Sequence, residues 1–246
     1  MVAAGCSEGQ APDPPEKRSQ QTVDRSNSGS GGQGNAKQQN DKARADEQKM
    51  PAADRGTQDD PLAALLLDRL KVSAEVEAGY ERDLFYHWKD LGSCDVREEV
   101  LARQDRRKGP CGSESGRWFS AYDGLTTTDP GDFDVDHMVP LAEAWASGAR
   151  RWPETRRDAF ANDLEPYSLI AVSASSNRSK SDQDPAEWMP ENEGFACPYV
   201  ARWIAVKFRW RLSVDRQEKG FLEESVSSCD PRALTLKAPV ERSTRG

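Results

Sequence analysis

Two stretches of this chain decide its fold: DVDHMVPL at residues 134–141 and SNRSKSD at residues 176–182. The first alternates polar and apolar residues up to His137, which is the pattern of a short, half-buried strand. The second begins at the end of a serine-rich run, Ser173 to Ser176, that suits a helix N-cap, and it carries Asn177. The two stretches therefore predict a strand and a helix whose polar side chains meet at one site.

Outward from these stretches, the periodicity of apolar residues predicts further helices and short strands. Helices are expected at residues 62–70, 96–103, 141–148, 153–162, 199–212 and 215–228, with antiparallel strands between 116 and 137 and another strand at 167–172. The order at the site is then strand, helical insertion, strand, helix. The predicted fold class is α+β.

The chain of 246 residues, 36% of them hydrophobic, has enough apolar sequence for one domain of ordinary size. Residues 1–60 are rich in Gln, Ser, Gly and Asp and poor in aliphatic side chains, so we expect a disordered tether there. The domain is expected at residues 61–235, followed by a flexible tail at 236–246.

Four cysteines fall in the expected domain without the Cys-x-x-Cys spacing of a zinc or redox site. The pairs Cys94–Cys111 and Cys197–Cys229 would each close a short loop, for which chain-entropy models give about 3 to 4 kcal/mol of stabilisation. Two disulfides predict an oxidising, extracytoplasmic setting. The alternative is four buried free thiols.

The fifth cysteine, Cys6, follows small residues at 2–5, as at the end of a bacterial lipoprotein signal. The charged and apolar regions of a secretion signal do not precede it. Either the protein starts upstream or the match is chance, and the first alternative predicts a membrane tether through a lipidated Cys6. No apolar run is long enough to span a bilayer, so we expect a secreted or lipid-anchored protein.

The net charge of −8 argues against binding nucleic acid through the field of the whole surface. A nucleic-acid-binding protein of this charge needs a local basic patch, and Arg178 and Lys180 are the best candidates for substrate contacts. Other basic residues, such as Lys207 and Arg209, are more simply interpreted as solvated helix faces.

The residue types at the site suit the hydrolysis of phosphodiesters, which needs a base and a divalent cation. His137 has the side chain for the base. Asp136 and Asn177 offer oxygen ligands that suit Mg²⁺, or Mn²⁺, better than zinc. The other histidine, His87, lies among aromatic residues, so we expect a packing role for it.

These motifs resemble the His-Asn-His (HNH) endonuclease superfamily, whose fold is the ββα-metal core. Asp-x-Asp-His-x-Val-Pro and Asn-Arg-Ser-Lys-Ser-Asp are similar to the HNH domains of CRISPR RNA-guided nucleases and to the C-terminal domains of GmrSD-type restriction nucleases. Secreted bacterial members of the second branch resemble this chain over residues 80–229, including GYERDLF at 79–85, FANDL at 160–164 and CPYVA at 197–201.

The resemblance implies a role for each site residue. His137 would be the general base, and Asp136 and Asn177 would hold the metal. Asn162 would orient the histidine or tie two strands together, although it could equally cap a helix. Lys180 would lie near the phosphate. Asn177 stands where the HNH pattern has its last histidine. This replacement also occurs in active relatives, and it favours magnesium as the metal.

The sequence thus predicts a metal-dependent endonuclease that cuts DNA, and RNA as a second polymer, with low sequence specificity because no DNA-reading module accompanies the core. Two alternatives remain open. One is an inactive nucleic-acid-binding or cell-envelope interaction domain on the same scaffold, and the other is a hydrolase of a different phosphoester. The sequence does not indicate whether an immunity partner exists.

Overall fold

The structure is a computed structural model that describes residues 62–104, 116–236 and 240. The predicted tether with its Cys6 lies outside the described residues. So do Cys111 and most of the predicted C-terminal tail.

The described residues form helices and short strands. Their order is α1 (Leu62–Leu67), α2 (Val96–Gln104), β1 (Trp118–Phe119), β2 (Thr126–Thr127), β3 (Phe133–His137), α3 (Leu141–Ala146), α4 (Glu154–Ala161), β4 (Leu169–Ser173), α5 (Ala174–Lys180), α6 (Glu193–Trp210) and α7 (Arg216–Ser228), with 3₁₀ turns at Arg82–Leu84, Pro130–Asp132 and Ala149–Arg151.

The strands β3 and β4 pair antiparallel, from Phe133 opposite Ser173 to His137 opposite Leu169. Strand β4 runs directly into α5, because the Ser173 side chain accepts a hydrogen bond from the backbone N–H of Ser176 and caps the helix. Helix α5 packs against both strands, and α3 and α4 occupy the connection between them. The predicted order at the site is observed, and so is the predicted mixture of helices and small antiparallel sheets.

The start of α6 differs from the prediction, which placed it after Pro198. The helix begins at Glu193, where the Asn192 side chain accepts a hydrogen bond from Gly194 N–H, and Pro198 lies inside it. An internal proline removes one backbone hydrogen bond. The packing of the buried Phe195 and Tyr199 on either side of Pro198 offsets that loss.

The two faces of the β3–β4 pair contact different cores. Phe133, Val135 and Ala171 pack against Val100, Leu101 and Trp118 in a small cluster. Ile170 and Val172 face the larger core, which includes the buried Trp203 and Trp210 of α6. Because side chains alternate along a strand, Asp136 lies on the side of the larger core. A carboxylate in this position needs a partner that compensates its charge.

The disulfide Cys197–Cys229 joins α6 to the residue after α7, with a Cα–Cα distance of 5.9 Å. This predicted pair is confirmed. The other predicted pair involves Cys111, which lies outside the described residues. Among the residues that the structure describes, no helix is both long and apolar enough to cross a membrane.

A buried ionic network connects α3, α6 and α7. The Lys207 ammonium is fully buried and donates hydrogen bonds to Glu143, to Glu218 at 3.0 Å and to the Ser213 carbonyl at 2.9 Å. Lys207 was expected on a solvated helix face, and this expectation was wrong. Charge alone does not reveal the two carboxylates that tertiary packing brings to it.

Candidate active site

Asp136 and His137 end strand β3, and both side chains are buried. The Asp136 carboxylate accepts a hydrogen bond from the Tyr122 hydroxyl at 2.6 Å and forms an ion pair with the Lys180 ammonium, with the closest N–O distance at 2.8 Å. Lys180 also donates to the His137 carbonyl at 2.9 Å. Lys180, at the end of α5, therefore contacts both residues, through the Asp136 carboxylate and the His137 backbone carbonyl.

Burial is the largest influence on the pKa values of Asp136 and of Lys180. It raises the pKa of the Asp136 carboxyl, while the charge and hydrogen bond of Lys180 act in the opposite direction. Burial likewise lowers the pKa of Lys180, and Asp136 opposes that change. The pKa of Tyr122 lies well above its ordinary value, chiefly because of burial, so its hydroxyl keeps the proton that it donates to Asp136.

The imidazole of His137 has a defined orientation. Its Nε2 lies 2.8 Å from the carbonyl oxygen of Ala161, an acceptor, so Nε2 carries the proton in the neutral ring. No other residue in the described part of the chain is hydrogen-bonded to the ring. Burial lowers the pKa of His137 to about 3, against the opposing effect of the hydrogen bond to the Ala161 carbonyl. The ring is therefore neutral at pH 7, with a lone pair on Nδ1.

Aromatic rings enclose His137 on two sides. Trp88 stacks on the imidazole with ring centroids 5.5 Å apart, and Phe160 stacks with centroids 6.4 Å apart. Trp88 has a φ of 59°, a left-handed conformation that is strained for a bulky residue. His87, predicted to pack among aromatic residues, has its ring centroid 5.4 Å from that of Trp88 and 6.5 Å from that of His137.

Asn162 holds the segment that carries Trp88. Its side chain accepts a hydrogen bond from the Lys89 backbone N–H at 2.8 Å and donates to the Tyr86 carbonyl at 2.6 Å. Asn162 is also the C-cap residue of α4, which is one of the alternatives that the sequence left open. Its hydrogen bonds join α4 to residues 86–89 and do not tie two strands together. The group that hydrogen-bonds His137 directly is the neighbouring Ala161 carbonyl, which accepts from Nε2–H.

Asn177 on α5 faces the acidic residues of β3. Its amide nitrogen donates to the Asp134 carboxylate at 3.2 Å, which leaves the amide oxygen Oδ1 free of this contact. The guanidinium of Arg178 lies 3.9 Å from the same carboxylate on an exposed side chain. The Asp134 carboxylate therefore fixes the orientation of the Asn177 amide.

Asp136, His137 and Asn177 line a single cavity of about 320 Å³. The other residues that line it are Tyr80, Arg82, Val135, Pro140, Leu141, Ala142, Ser181 and Asp182. Asn162, Arg178 and Lys180 are not among the lining residues. The structure therefore brings together three of the predicted site residues and adds Arg82 and Tyr80. Both lie in the GYERDLF stretch, where only the resemblance to relatives marked them.

Residues 93–224 match the family model of the C-terminal domain of GmrSD restriction endonucleases, and the match spans more than half of the chain. The chain belongs to the GmrSD C-terminal domain family. The predicted resemblance to this family is confirmed, and membership indicates a nuclease-like function.

One similar protein comes from the fungus Arthroderma benhamiae, where it is described as an uncharacterized secreted protein. It is 44% identical over 155 residues, which cover 61% of this chain and 76% of the relative. No solved structure matches the chain significantly.

The donor atoms of this GmrSD C-terminal domain fit a hard divalent cation. Asp136 offers a carboxylate and Asn177 an amide oxygen at the same cavity, and no thiolate is among the lining residues. Magnesium is commonly bound by one or two carboxylates together with waters and substrate phosphates, so two protein oxygens are a sufficient set. Tyr122 and Lys180 both contact Oδ2 of Asp136, whereas Oδ1 has one contact, to Lys180 at 3.0 Å, and keeps a second lone pair for a metal.

A second group of acidic residues is the trio Glu75, Glu143 and Glu218, in which carboxylate oxygens approach within 4.8 Å of one another. The ammonium of Lys207 contacts two of the three carboxylates. This trio therefore has a cation of its own, supplied by the chain.

Proposed function

We propose that this GmrSD C-terminal domain is an HNH-type, metal-dependent endonuclease that hydrolyses phosphodiester bonds of DNA, and of RNA as a second polymer, with low sequence specificity. The observation that carries the proposal is the meeting of three groups in one cavity: the neutral His137, the Asp136 carboxylate and the Asn177 amide. The antiparallel β3–β4 pair followed by α5 supports the assignment to the ββα-metal core.

His137 acts as the general base. With Nε2–H donated to Ala161, Nδ1 takes the proton of the water that attacks phosphorus. The ring is neutral before the reaction because burial disfavours its charged form. A polyanionic substrate in the cavity raises the proton affinity of the ring again, because a nearby negative charge favours imidazolium.

Asp136 and Asn177 would hold the divalent cation, with Mg²⁺ as the preferred ion and Mn²⁺ as the alternative. When bound, the cation neutralises charge on the scissile phosphate and on the leaving oxygen. Lys180 and Tyr122 fix the Asp136 carboxylate, and Asp134 fixes the Asn177 amide. Asn162 supports the base indirectly, through the segment that carries Trp88.

The proposed setting is extracytoplasmic. The similar fungal protein is described as secreted, and the Cys197–Cys229 disulfide suits an oxidising compartment. The proposal includes a lipid anchor at Cys6. Mass spectrometry of the native protein tests this modification.

The proposed function is tested by incubating the oxidised full-length chain with supercoiled plasmid and with circular single-stranded DNA. Circular substrates restrict the assay to endonuclease cleavage. We expect nicking with Mg²⁺ or Mn²⁺, none with EDTA, and a loss of at least about 100-fold in the His137→Ala and Asn177→Ala variants. Arg69→Ala, a change at an exposed residue that does not line the cavity, serves as the control.

Intact DNA under every metal condition, from wild-type protein with a cooperative unfolding transition, would contradict the proposal. It would favour a non-catalytic nucleic-acid-binding or envelope interaction domain. Cleavage of small phosphodiesters without cleavage of polymer would favour a hydrolase of a different phosphoester.

A further inference from the structure

The proposed reaction places negative charge on the scissile phosphate. The two cationic side chains that the sequence predicted to contact this phosphate, Lys180 and Arg178, do not reach the cavity. Lys180 is fully buried, with its ammonium bound to Asp136 and to the His137 carbonyl. Arg178 is exposed and lies nearest to Asp134. Neither side chain lines the cavity. Arg82 is the one lysine or arginine among the residues that do line it.

The backbone of Arg82 is firmly placed. Arg82 begins the 3₁₀ turn Arg82–Leu84, and its carbonyl accepts the N–H of Phe85, whose ring is fully buried in the larger core. Arg157 of α4 donates to the Leu84 carbonyl at 2.9 Å. The turn is therefore anchored to the same helix whose last residue, Ala161, orients His137.

His87 directs the Arg82 side chain. Its Nδ1 lies 2.9 Å from the Phe85 carbonyl and so carries the proton, which leaves Nε2 as an acceptor. The terminal nitrogen of Arg82 lies 3.5 Å from this Nε2, a long and weak hydrogen bond. Such a contact directs the guanidinium but leaves most of its donors available.

Among the described residues, no carboxylate forms an ion pair with Arg82, and the residue is exposed. Arg82 and His137 line the same cavity. An unpaired guanidinium beside a proposed general base is well suited to an anion, because its donors match two phosphate oxygens.

We propose that Arg82, directed by His87, binds the non-bridging oxygens of the scissile phosphate and stabilises the charge that develops there. This inference rests on the proposed function and deepens it. It assigns to Arg82 the phosphate contact that the sequence predicted for Lys180 and Arg178. It also gives His87 a positioning role in addition to packing.

The test measures kcat and KM for wild type, Arg82→Ala, Arg82→Lys and His87→Ala, with Arg69→Ala as the matched arginine control. Two substrates are used, plasmid DNA and bis(4-nitrophenyl) phosphate, whose only phosphate is the scissile one. We expect Arg82→Ala to lose about 100-fold or more in kcat on both substrates, as when one donor to a developing oxyanion is removed. Arg82→Lys recovers part of this loss, and His87→Ala loses less than Arg82→Ala.

Added guanidinium ion supplies a readout that a structural role would not move. We expect millimolar guanidinium to restore part of the Arg82→Ala activity and to leave Arg69→Ala unchanged. The melting temperatures of Arg82→Ala and wild type should agree, because the side chain is exposed.

Several outcomes would overturn the inference. Arg82→Ala activity within threefold of wild type on both substrates would remove its role while leaving the nuclease intact. A loss on DNA alone would move the contact to a different phosphate. A loss without guanidinium rescue, accompanied by a lower melting temperature, would make Arg82 structural. A folded wild type that cuts neither substrate would overturn the proposed function and this inference together.

Discussion

Lys180 is the residue on which the buried charge of Asp136 depends. Removing one partner of a buried ion pair leaves the other charge without compensation, which typically costs about 3 to 5 kcal/mol. We therefore expect Lys180→Ala to lower the free energy of unfolding by about 3 kcal/mol, because the ammonium is fully buried and also holds the His137 carbonyl. Urea-induced unfolding, followed by tryptophan fluorescence, measures this change.

Arg178→Ala is the matched control for Lys180→Ala, since it removes a cation from the same helix. Its side chain is 78% exposed, and its contact with Asp134 is long, at 3.9 Å. Exposed pairs contribute little, so we expect a change within about 0.5 kcal/mol. Equal effects of the two substitutions would show that the Asp136–Lys180 pair does not stabilise the fold.

At the scale of elements, the site depends on how residues 86–89 are attached to the end of α4. Asn162→Ala removes the acceptor for Lys89 N–H and the donor to the Tyr86 carbonyl. Trp88, between them, then loses the support for its left-handed conformation and its stack on His137. We expect kcat to fall by more than KM rises, and hydrogen exchange at the Lys89 amide to become faster.

Asn162→Asp separates the two hydrogen bonds, because the carboxylate keeps the acceptor for Lys89 but has no N–H to donate. We expect slow exchange at the Lys89 amide to persist in this variant, with an intermediate loss of activity. Full activity of Asn162→Ala, together with unprotected Lys89, would mean that the position of Trp88 does not matter for catalysis.

At the scale of the whole molecule, the Lys207 network predicts how stability depends on pH. Burial raises the pKa of Glu143 and of Glu218 to about 7 each, and neighbouring carboxylates add to this rise while Lys207 opposes it. A carboxyl whose pKa is higher in the folded state contributes stability at low pH that is lost as pH rises. Here the loss falls between the ordinary value of 4.5 and about 7.

Lys207 and His137 also make stability depend on pH. Burial opposes the change, but the charges of Glu143 and Glu218 raise the pKa of Lys207 above its ordinary value of 10.5, so Lys207 contributes stability that is lost only as pH rises above that value. His137 has the opposite sign in the acidic range: its lowered pKa destabilises the fold as pH falls from 6.5 towards about 3. The contribution of the network is therefore best measured as a difference between a variant and wild type, in which the His137 contribution cancels.

We expect Glu143→Gln to gain stability relative to wild type between pH 5 and pH 7.5, on the order of 1 to 2 kcal/mol, because the remaining Lys207–Glu218 pair is electrically balanced. Urea unfolding at the two pH values measures the difference. Glu223→Gln, at an exposed carboxylate on α7, should show no such gain. A pH-independent difference for Glu143→Gln would contradict the assignment of the raised pKa.

Much of the local structure was predictable, since it depends on short-range patterns. The alternation that ends in His137 predicted β3, and the serines before Asn177 predicted the cap of α5. Lys207 was assigned to the wrong environment, because its two carboxylate partners come from other helices. The start of α6 was misplaced because a proline can lie inside a helix that packing stabilises.

The amino-acid sequence alone shows which groups are available for chemistry: one histidine beside an aspartate on a strand, an asparagine on the following helix and a lysine at the end of that helix. How these groups are used depends on the tertiary fold. Lys180 compensates Asp136, Trp88 and Phe160 enclose His137, and Arg82 reaches the cavity. The reason is physical. Strand and helix formation follow from neighbouring residues, whereas burial, charge pairing and pKa depend on residues far apart in the chain.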